Sequence, residues 1–278
     1  MEKITFSPLV KEEKTEVAVI GGGFCGLFSA YLLQKEGKKV SVFEKDGFYT
    51  KKTPPEILQY DAEHSLFALK NKFGTEKAVA FYNLEKTALS GIKSVACETG
   101  YEDFTDKDIF TFSDGGASRK TVEEEYRLRK YGGFDVELID GKDGLDLFSF
   151  PFECGIYSPK GGAYADRSDF CAALLCFLSV KGASLYENTR IDFVTQNPDG
   201  FLLESGDGVS VFAETVFDCR GLSLLSRYPF LGKREAAFFI KTAPVTDFAG
   251  WHNRAFLRDI YEKPLCFLCD KEGRVTVA

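Results

Sequence analysis

Histidine is almost absent from this chain: His64 and His252 are the only two in 278 residues. The Cys266-x-x-Cys269 pair has the spacing of a metal knuckle, but no second ligand cluster exists to complete a tetrahedral zinc site. No metal is expected, and the pair reads as two free thiols on opposite faces of a strand. Long apolar runs are also missing, none approaching the ~20 residues that span a bilayer. The opening residues, Met1 to Glu16, are polar and rich in Lys and Glu, without the apolar centre of a secretion signal. No membrane span and a cytoplasmic location are therefore expected. Neither charge sign forms a long run; 35 basic and 42 acidic residues give a net charge of −7. No basic groove for nucleic acid follows from that pattern. The eight cysteines stand mostly among apolar neighbours, and in a long chain without a secretion signal they read as free thiols rather than a disulfide framework.

Core material is plentiful. Hydrophobic residues make up 44% and aromatics 14%, against 28% charged, so the chain folds as one large domain or two modest ones. Its most informative stretch is VAVIGGGFCGLFSAYLLQKEGKKVSVFEK, from Val17 to Lys45. Val17 to Ile20 is a short apolar run, as expected of a strand buried on both faces. A helix follows from Phe24 to Glu36, with Gly37 as its stop, and Val40 to Phe43 reads as a second strand.

Between the first strand and the helix stands Gly21-x-Gly23-x-x-Gly26. In this strand–helix–strand context each glycine has its own role, for Gly21 makes the tight turn, Gly23 lets backbone approach a pyrophosphate, and Gly26 lets helix and strand pack. The helix N-terminus favours the negative charge of a dinucleotide. Glu44 ends the second strand 18 residues after Gly26, where a carboxylate can accept from ribose hydroxyls and disfavours a 2′-phosphate. NAD and FAD remain alternatives on the motif alone.

Further along, two helical segments broken near Gly74 are expected over Asp61 to Ala88, and a charged helix over Lys120 to Lys130 lies between strands at Phe104 to Ser113 and Phe134 to Ile139. Ser168 to Lys181 reads as a helix closed by Gly182. Short strands around 190–194, 201–204 and 209–212 are joined by Asn-Pro-Asp-Gly and Gly-Asp-Gly turns, and Thr215 to Cys219 forms another strand before Arg220-Gly221. The aromatic residues Phe238, Phe239, Phe248, Trp251 and Phe256 read as core.

In its pieces and their order the sequence resembles the FAD-dependent oxidoreductases of the D-amino-acid oxidase and glycine oxidase family. The matching pieces are the glycine-motif unit, YTKKTPPEI to FYNLEKTALSGI, SPKGGAYADRSDFCAALL, KGASLYENTRIDFV and VFDCRG. The resemblance implies an α/β fold: a Rossmann-like FAD-binding domain (14–60 and 150–229) interleaved with an α+β substrate domain (61–149 and 230–278), C-terminally truncated relative to the family. It implies that Gly21, Gly23, Phe24, Cys25 and Gly26 face the pyrophosphate and that Glu44 and Lys45 lie by the adenosine ribose. By the same resemblance Thr53 passes near phosphates or flavin, Ile191 meets adenine through its backbone, and Gly221 ends its strand near the cofactor. Pro54, Pro55 and the Asp218-Cys219-Arg220 run depart from the family pattern.

The implied function is oxidation of a small-molecule amine or amino acid to an imine by FAD. The alternatives are a non-catalytic remnant of the fold and an NAD-linked dehydrogenase. Flavin chemistry demands no particular acid–base residue of the protein, so no catalytic residue is assigned. Arg254 and Arg258 are candidates for holding a substrate carboxylate, and His252 is of more interest than His64.

Overall fold

A computed structural model describes residues 4–49, 56–61, 64–115, 119–221, 238–260 and 265–277. The chain divides into two compact units, each assembled from separated segments.

The first unit holds β1 (Glu13–Ile20), α1 (Phe24–Lys35), β2 (Val40–Phe43), α5 (Arg167–Val180) and β7 (Ser184–Tyr186), with β8 (Ile191–Asn197), β9 (Gly200–Ser205) and β10 (Ser210–Asp218). Its sheet runs β7-β2-β1-β10-β9-β8. The first four strands in that order are parallel neighbours, and β9 and β8 add an antiparallel meander. Val17, Ala18, Val19 and Ile20 are all buried, which is why this strand shows a continuous apolar run rather than alternation. Helix α1 packs on α5 through aromatic pairs, Phe24 on Phe170 at 5.4 Å and Tyr31 on Phe177 at 5.2 Å. The Asp166 carboxylate caps α5 by accepting from the Ser168 and Asp169 amides at 2.9 and 3.1 Å, a contact of ~1 kcal/mol.

The second unit holds β3 (Glu56–Gln59), α2 (Leu66–Phe73), most of α3 (Thr75–Glu98), β4 (Thr105–Ser113), α4 (Arg119–Tyr131) and β5 (Glu137–Asp140). To these it adds β6 (Cys154–Ala165), β11 (Ile240–Lys241), β12 (Phe256–Asp259), β13 (Cys266–Cys269) and β14 (Val275–Val277). The sheet order is β11-β14-β13-β12-β4-β6-β3, with β5 also on β6. Among the described strands of this sheet only β12 and β4 are parallel. Tyr60, Leu66, Tyr82, Val122, Phe134 and Ile156 belong to one core cluster. A second cluster centres on Phe110, stacked on Phe148 with ring centroids 4.2 Å apart. Fully burying one such ring contributes roughly 1.5–3 kcal/mol.

Ionic groups are also buried in this unit. Asp61 pairs with Arg129 and Arg258, each at 2.8 Å, and Arg129 pairs with Glu125 at 2.7 Å. The Glu125 carboxylate accepts from the Leu66 and Phe67 amides at 3.1 and 2.7 Å. A side chain of α4 thus satisfies first-turn donors of α2, which Ser65 alone caps only through the Ala68 amide.

Three expectations change. The strands expected separately at 209–212 and 215–219 are one strand, β10, because β1 supplies a parallel partner along its length while β9 pairs only with Ser210–Ala213. Strands β3 and β6, within the ranges expected of the cofactor-binding domain, belong to the second unit because they pair with each other and β6 pairs with β4. Phe238 and Phe239 are not core: they are 86% and 51% exposed, beside the edge strand β11. Phe256 is buried as expected. Among the described residues no helix is long and apolar enough to cross a membrane.

Candidate functional site

The glycine loop lies between the end of β1 and the first turn of α1. The Gly21 amide donates to the Phe43 carbonyl at 2.8 Å, and the Cys219 amide to the Ile20 carbonyl at 2.8 Å, so the ends of β1, β2 and β10 are tied together beneath the loop. Gly21 has φ +107°, and a Cβ there would stand 2.7 Å from the Cys219 carbonyl oxygen. A Cβ on Gly26 would stand 1.8 Å from the Gly21 carbonyl oxygen. Both positions admit only glycine, one for conformation and contact, the other for contact. Gly23 differs. It is the N-cap of α1 with φ −76° and no side-chain cap, and a Cβ there would meet nothing within 4 Å. Its side faces open space, so the first-turn donors of Phe24, Cys25 and Gly26 are approachable by an anion.

Glu44 is buried at the end of β2. Its Oε2 accepts from the Gly22 amide at 2.7 Å and its Oε1 from the Asp46 amide at 3.2 Å. Two accepted bonds leave lone pairs for further donors such as ribose hydroxyls. Its own backbone is fixed on both sides, donating to the Tyr186 carbonyl at 2.9 Å and accepting from the Thr189 amide at 2.8 Å.

Gly22 falls outside the motif spacing, yet it is buried against Phe48, and a Cβ there would stand 2.2 Å from the Phe48 ring. Phe48 in turn meets Phe6 edge-on at 5.4 Å. Three consecutive glycines are the only trace of this contact in the sequence.

The other candidates are placed as follows. Phe24 directs its ring to Phe170 and Phe28, leaving its amide at the loop. Cys25 is exposed. Lys45 is exposed and pairs with Asp46 at 3.6 Å, not with the glycine loop. Ile191 is buried at the start of β8, and its carbonyl accepts from Arg220 Nη1 at 3.2 Å. Arg220 is held by the Asp218 carboxylate, with Nε at 2.8 Å from Oδ1. Gly221 has φ +59°. Thr53, with Pro54 and Pro55, lies outside the described residues.

Polar candidates of the second unit divide sharply. Arg258 is buried, with Nη2 on Asp61 Oδ2 at 2.8 Å, Nη1 on the Asp61 carbonyl at 2.9 Å and Nε on Thr111 Oγ1 at 3.0 Å. It is committed to the fold and is not available for a substrate carboxylate. Arg254 is exposed, its guanidinium 4.3 Å from the centre of the Phe248 ring. His64 is exposed and its carbonyl accepts from Tyr82 Oη. His252 lies 5.5 Å from the Tyr157 ring. Nearby, Asp108 sits at an irregularity of β4, and its carboxylate accepts from Tyr157 Oη at 2.5 Å, Asn253 Nδ2 at 2.9 Å and the Lys160 amide at 2.8 Å. Burial alone would raise the Asp108 carboxyl, but these bonds outweigh it and hold it below the usual carboxylate range. Lys160, Asn253 and Arg254 all have positive φ. Nothing in the sequence pattern links Asp108 to residues 52 and 145 positions away.

A strand–helix–strand unit with an open glycine cradle at its helix N-terminus, joined in one chain to a second, largely antiparallel α+β unit, defines an α/β protein of dinucleotide-dependent oxidoreductase architecture. The profile of the FAD dependent oxidoreductase (DAO) family matches residues 16–277, and the chain belongs to that family. Its fold is similar to that of glycine oxidase from Geobacillus kaustophilus, with a TM-score of 0.75, 16% identity, and coverage of 95% of this chain and 70% of that one. L-alpha-glycerophosphate oxidase from Mycoplasma pneumoniae, solved with FAD bound, is similar at a TM-score of 0.68 and 14% identity, covering 95% of this chain and 71% of that one. A curated Bacillus subtilis protein, YhfW, named for a Rieske 2Fe-2S iron–sulfur centre, is 24% identical over 191 residues. That match takes in 66% of this chain and 36% of the relative, so the chain spans about a third of it.

Proposed function

We propose that this chain binds FAD at the glycine cradle and oxidises a small amine or amino acid. The observation that carries the reading is Gly23, an uncapped helix N-terminus whose side faces open space, set between two positions that tolerate no side chain. The residues fit the cofactor. Amides of Phe24, Cys25 and Gly26 would face the pyrophosphate, and the anchored Glu44 carboxylate the ribose, while Ile191 and Gly221 border the same strand ends.

Bound there, FAD would supply a two-electron acceptor for the α-C–H electron pair of an amine, whose nitrogen gives up a proton as the C–N bond becomes the C=N of an imine that water hydrolyses. The chain's own contribution is to hold the cofactor and orient the substrate. Likeness to enzymes of glycine and other small substrates supports the amine or amino-acid class.

Reconstitution tests this reading. The purified chain is mixed with FAD, passed through a desalting column and scanned for flavin absorbance, then supplied with amino acids and amines under anaerobic conditions. Bleaching of retained flavin by one of them is the expected result. A chain that retains no flavin at saturating FAD, yet folds normally by circular dichroism, would refute the reading.

A further inference from the structure

Three of the eight cysteines, Cys25, Cys171 and Cys219, gather around the first turn of α1 in the first unit, and all three are free thiols. Cys25 and Cys171 each follow a phenylalanine, and those two rings, Phe24 and Phe170, meet at 5.4 Å. Cys219 approaches the same turn from the end of β10. A Cβ on Gly26 would stand 3.4 Å from Cys219 Cβ, and the Cys219 side chain lies within reach of Ser29 and Cys25. Ser29 stands four residues after Cys25, so both lie on one face of α1. The helix face that carries Cys25 is therefore the face that Cys219 touches.

Access separates the three. Cys25 is exposed, whereas Cys171 and Cys219 are partly buried. Burial pushes the Cys171 thiol up to about 12 and raises that of Cys219 as well. An oxidant in solution therefore meets Cys25 first, and a sheltered thiol waits beside it, which is the arrangement of an attacked and a resolving cysteine.

We propose that Cys25 is a site of reversible oxidation, resolved as a disulfide with Cys219 that ties the first turn of α1 to the end of β10. The oxidant is a hydroperoxide. The Cys25 thiolate attacks the O–O bond and becomes a sulfenic acid, releasing the alcohol or, from hydrogen peroxide, water. The Cys219 sulfur then attacks that sulfur, the S–S bond forms, and the sulfenic oxygen leaves as water with the second thiol proton. Two thiols lose two electrons and the peroxide gains them. The bond would lock the first turn of α1, whose amides the function proposed above assigns to the cofactor, to the end of β10.

Reduced protein is treated with one equivalent of hydrogen peroxide, blocked with an alkylating reagent and mapped by mass spectrometry without reduction. A Cys25–Cys219 linked peptide is the expected main product, reversed by dithiothreitol. Cys171→Ser should retain it, and Cys219→Ser should leave Cys25 as a sulfenic acid that dimedone traps. Cys25 linked instead to Cys171, or still a thiol while other cysteines oxidise, overturns the proposal. FAD affinity should fall at least about tenfold on oxidation and recover on reduction, and equal affinities would overturn the locking role. Failure of the reduced chain to bind FAD would count against the cofactor site instead, and the linked-peptide map decides the sulfur chemistry in either case.

Discussion

Arg258 grips Asp61 twice, through the carboxylate at 2.8 Å and through the backbone carbonyl at 2.9 Å. The contact spans 197 positions of sequence and joins the end of β3 to β12 inside the second unit. Arg129 reaches the same carboxylate and carries Glu125 with it. Two carboxylates and two guanidinium groups balance in charge where single ions would be costly to bury.

Breaking that balance should unfold the second unit rather than alter substrate binding. Arg258→Met is expected to cost about 3–5 kcal/mol in urea unfolding, as is Asp61→Asn. The double variant should lose less than the sum, because each change removes the other's unpaired charge. Near-native stability of Arg258→Met, accompanied by a weakened substrate affinity, would return Arg258 to the substrate site.

Acid should act through the same pair. Burial alone would raise the Asp61 carboxyl, but Arg258 and Arg129 outweigh it and hold the group below its ordinary value. Its contribution to stability is therefore complete above the ordinary aspartate value of about 4 and is lost as the pH falls through the lowered folded-state value. Stability measured from pH 6 downward should fall less steeply in Asp61→Asn than in the parent chain, and parallel curves would exclude Asp61 as the titrating group.

The glycine cradle makes a paired prediction. Gly26→Ala places a methyl group 1.8 Å from the Gly21 carbonyl oxygen, so α1 must shift; a loss of roughly 1–3 kcal/mol is expected from such overpacking, with FAD binding lost too. Gly23→Ala has room and an ordinary φ. It should leave thermal stability unchanged and weaken FAD by tenfold or more, because its methyl group occupies the space a pyrophosphate approaches. Calorimetry together with FAD titration separates the two, and a Gly23→Ala chain with parental FAD affinity would place the cofactor elsewhere.

Glu44→Gln is subtler. The side-chain amide can still accept one of the bonds from Gly22 and Asp46, but it places an NH₂ group where the other oxygen accepts. A loss of about 1.5–3 kcal/mol in FAD binding is expected, the range for hydrogen bonds to a charged group. Isothermal titration should show it against both FAD and ADP if Glu44 contacts the adenosine half.

The exposed apolar residues beside β11 predict association. Phe238 and Ile240 are 86% and 73% exposed, and among the described residues β11 pairs with β14 alone, which is the profile of an edge open to another strand. Phe238→Glu should lower concentration-dependent light scattering without changing the unfolding midpoint. Equal scattering by the two chains would remove this edge from consideration.

Local chemistry made the first unit's cradle legible in the sequence. The apolar run of β1, the glycines at 21, 23 and 26, the stop at Gly37 and the acid at 44 act within one strand–helix–strand unit, where spacing along the chain and distance in space are nearly the same. The two helices meeting at Gly74 and the hairpin over Pro198-Asp199 were legible for the same reason. Tertiary structure alone decided the rest. It joined two short apolar runs into β10 by laying β1 beside both, moved β3 and β6 into the second sheet by pairing, and set Phe48 over Gly22. Most of all it decided the fate of charge: an arginine written in sequence looks the same whether it meets solvent, as Arg254 does, or a buried aspartate 197 residues away, as Arg258 does, because a side chain's role depends on desolvation and partners that only folding brings within reach.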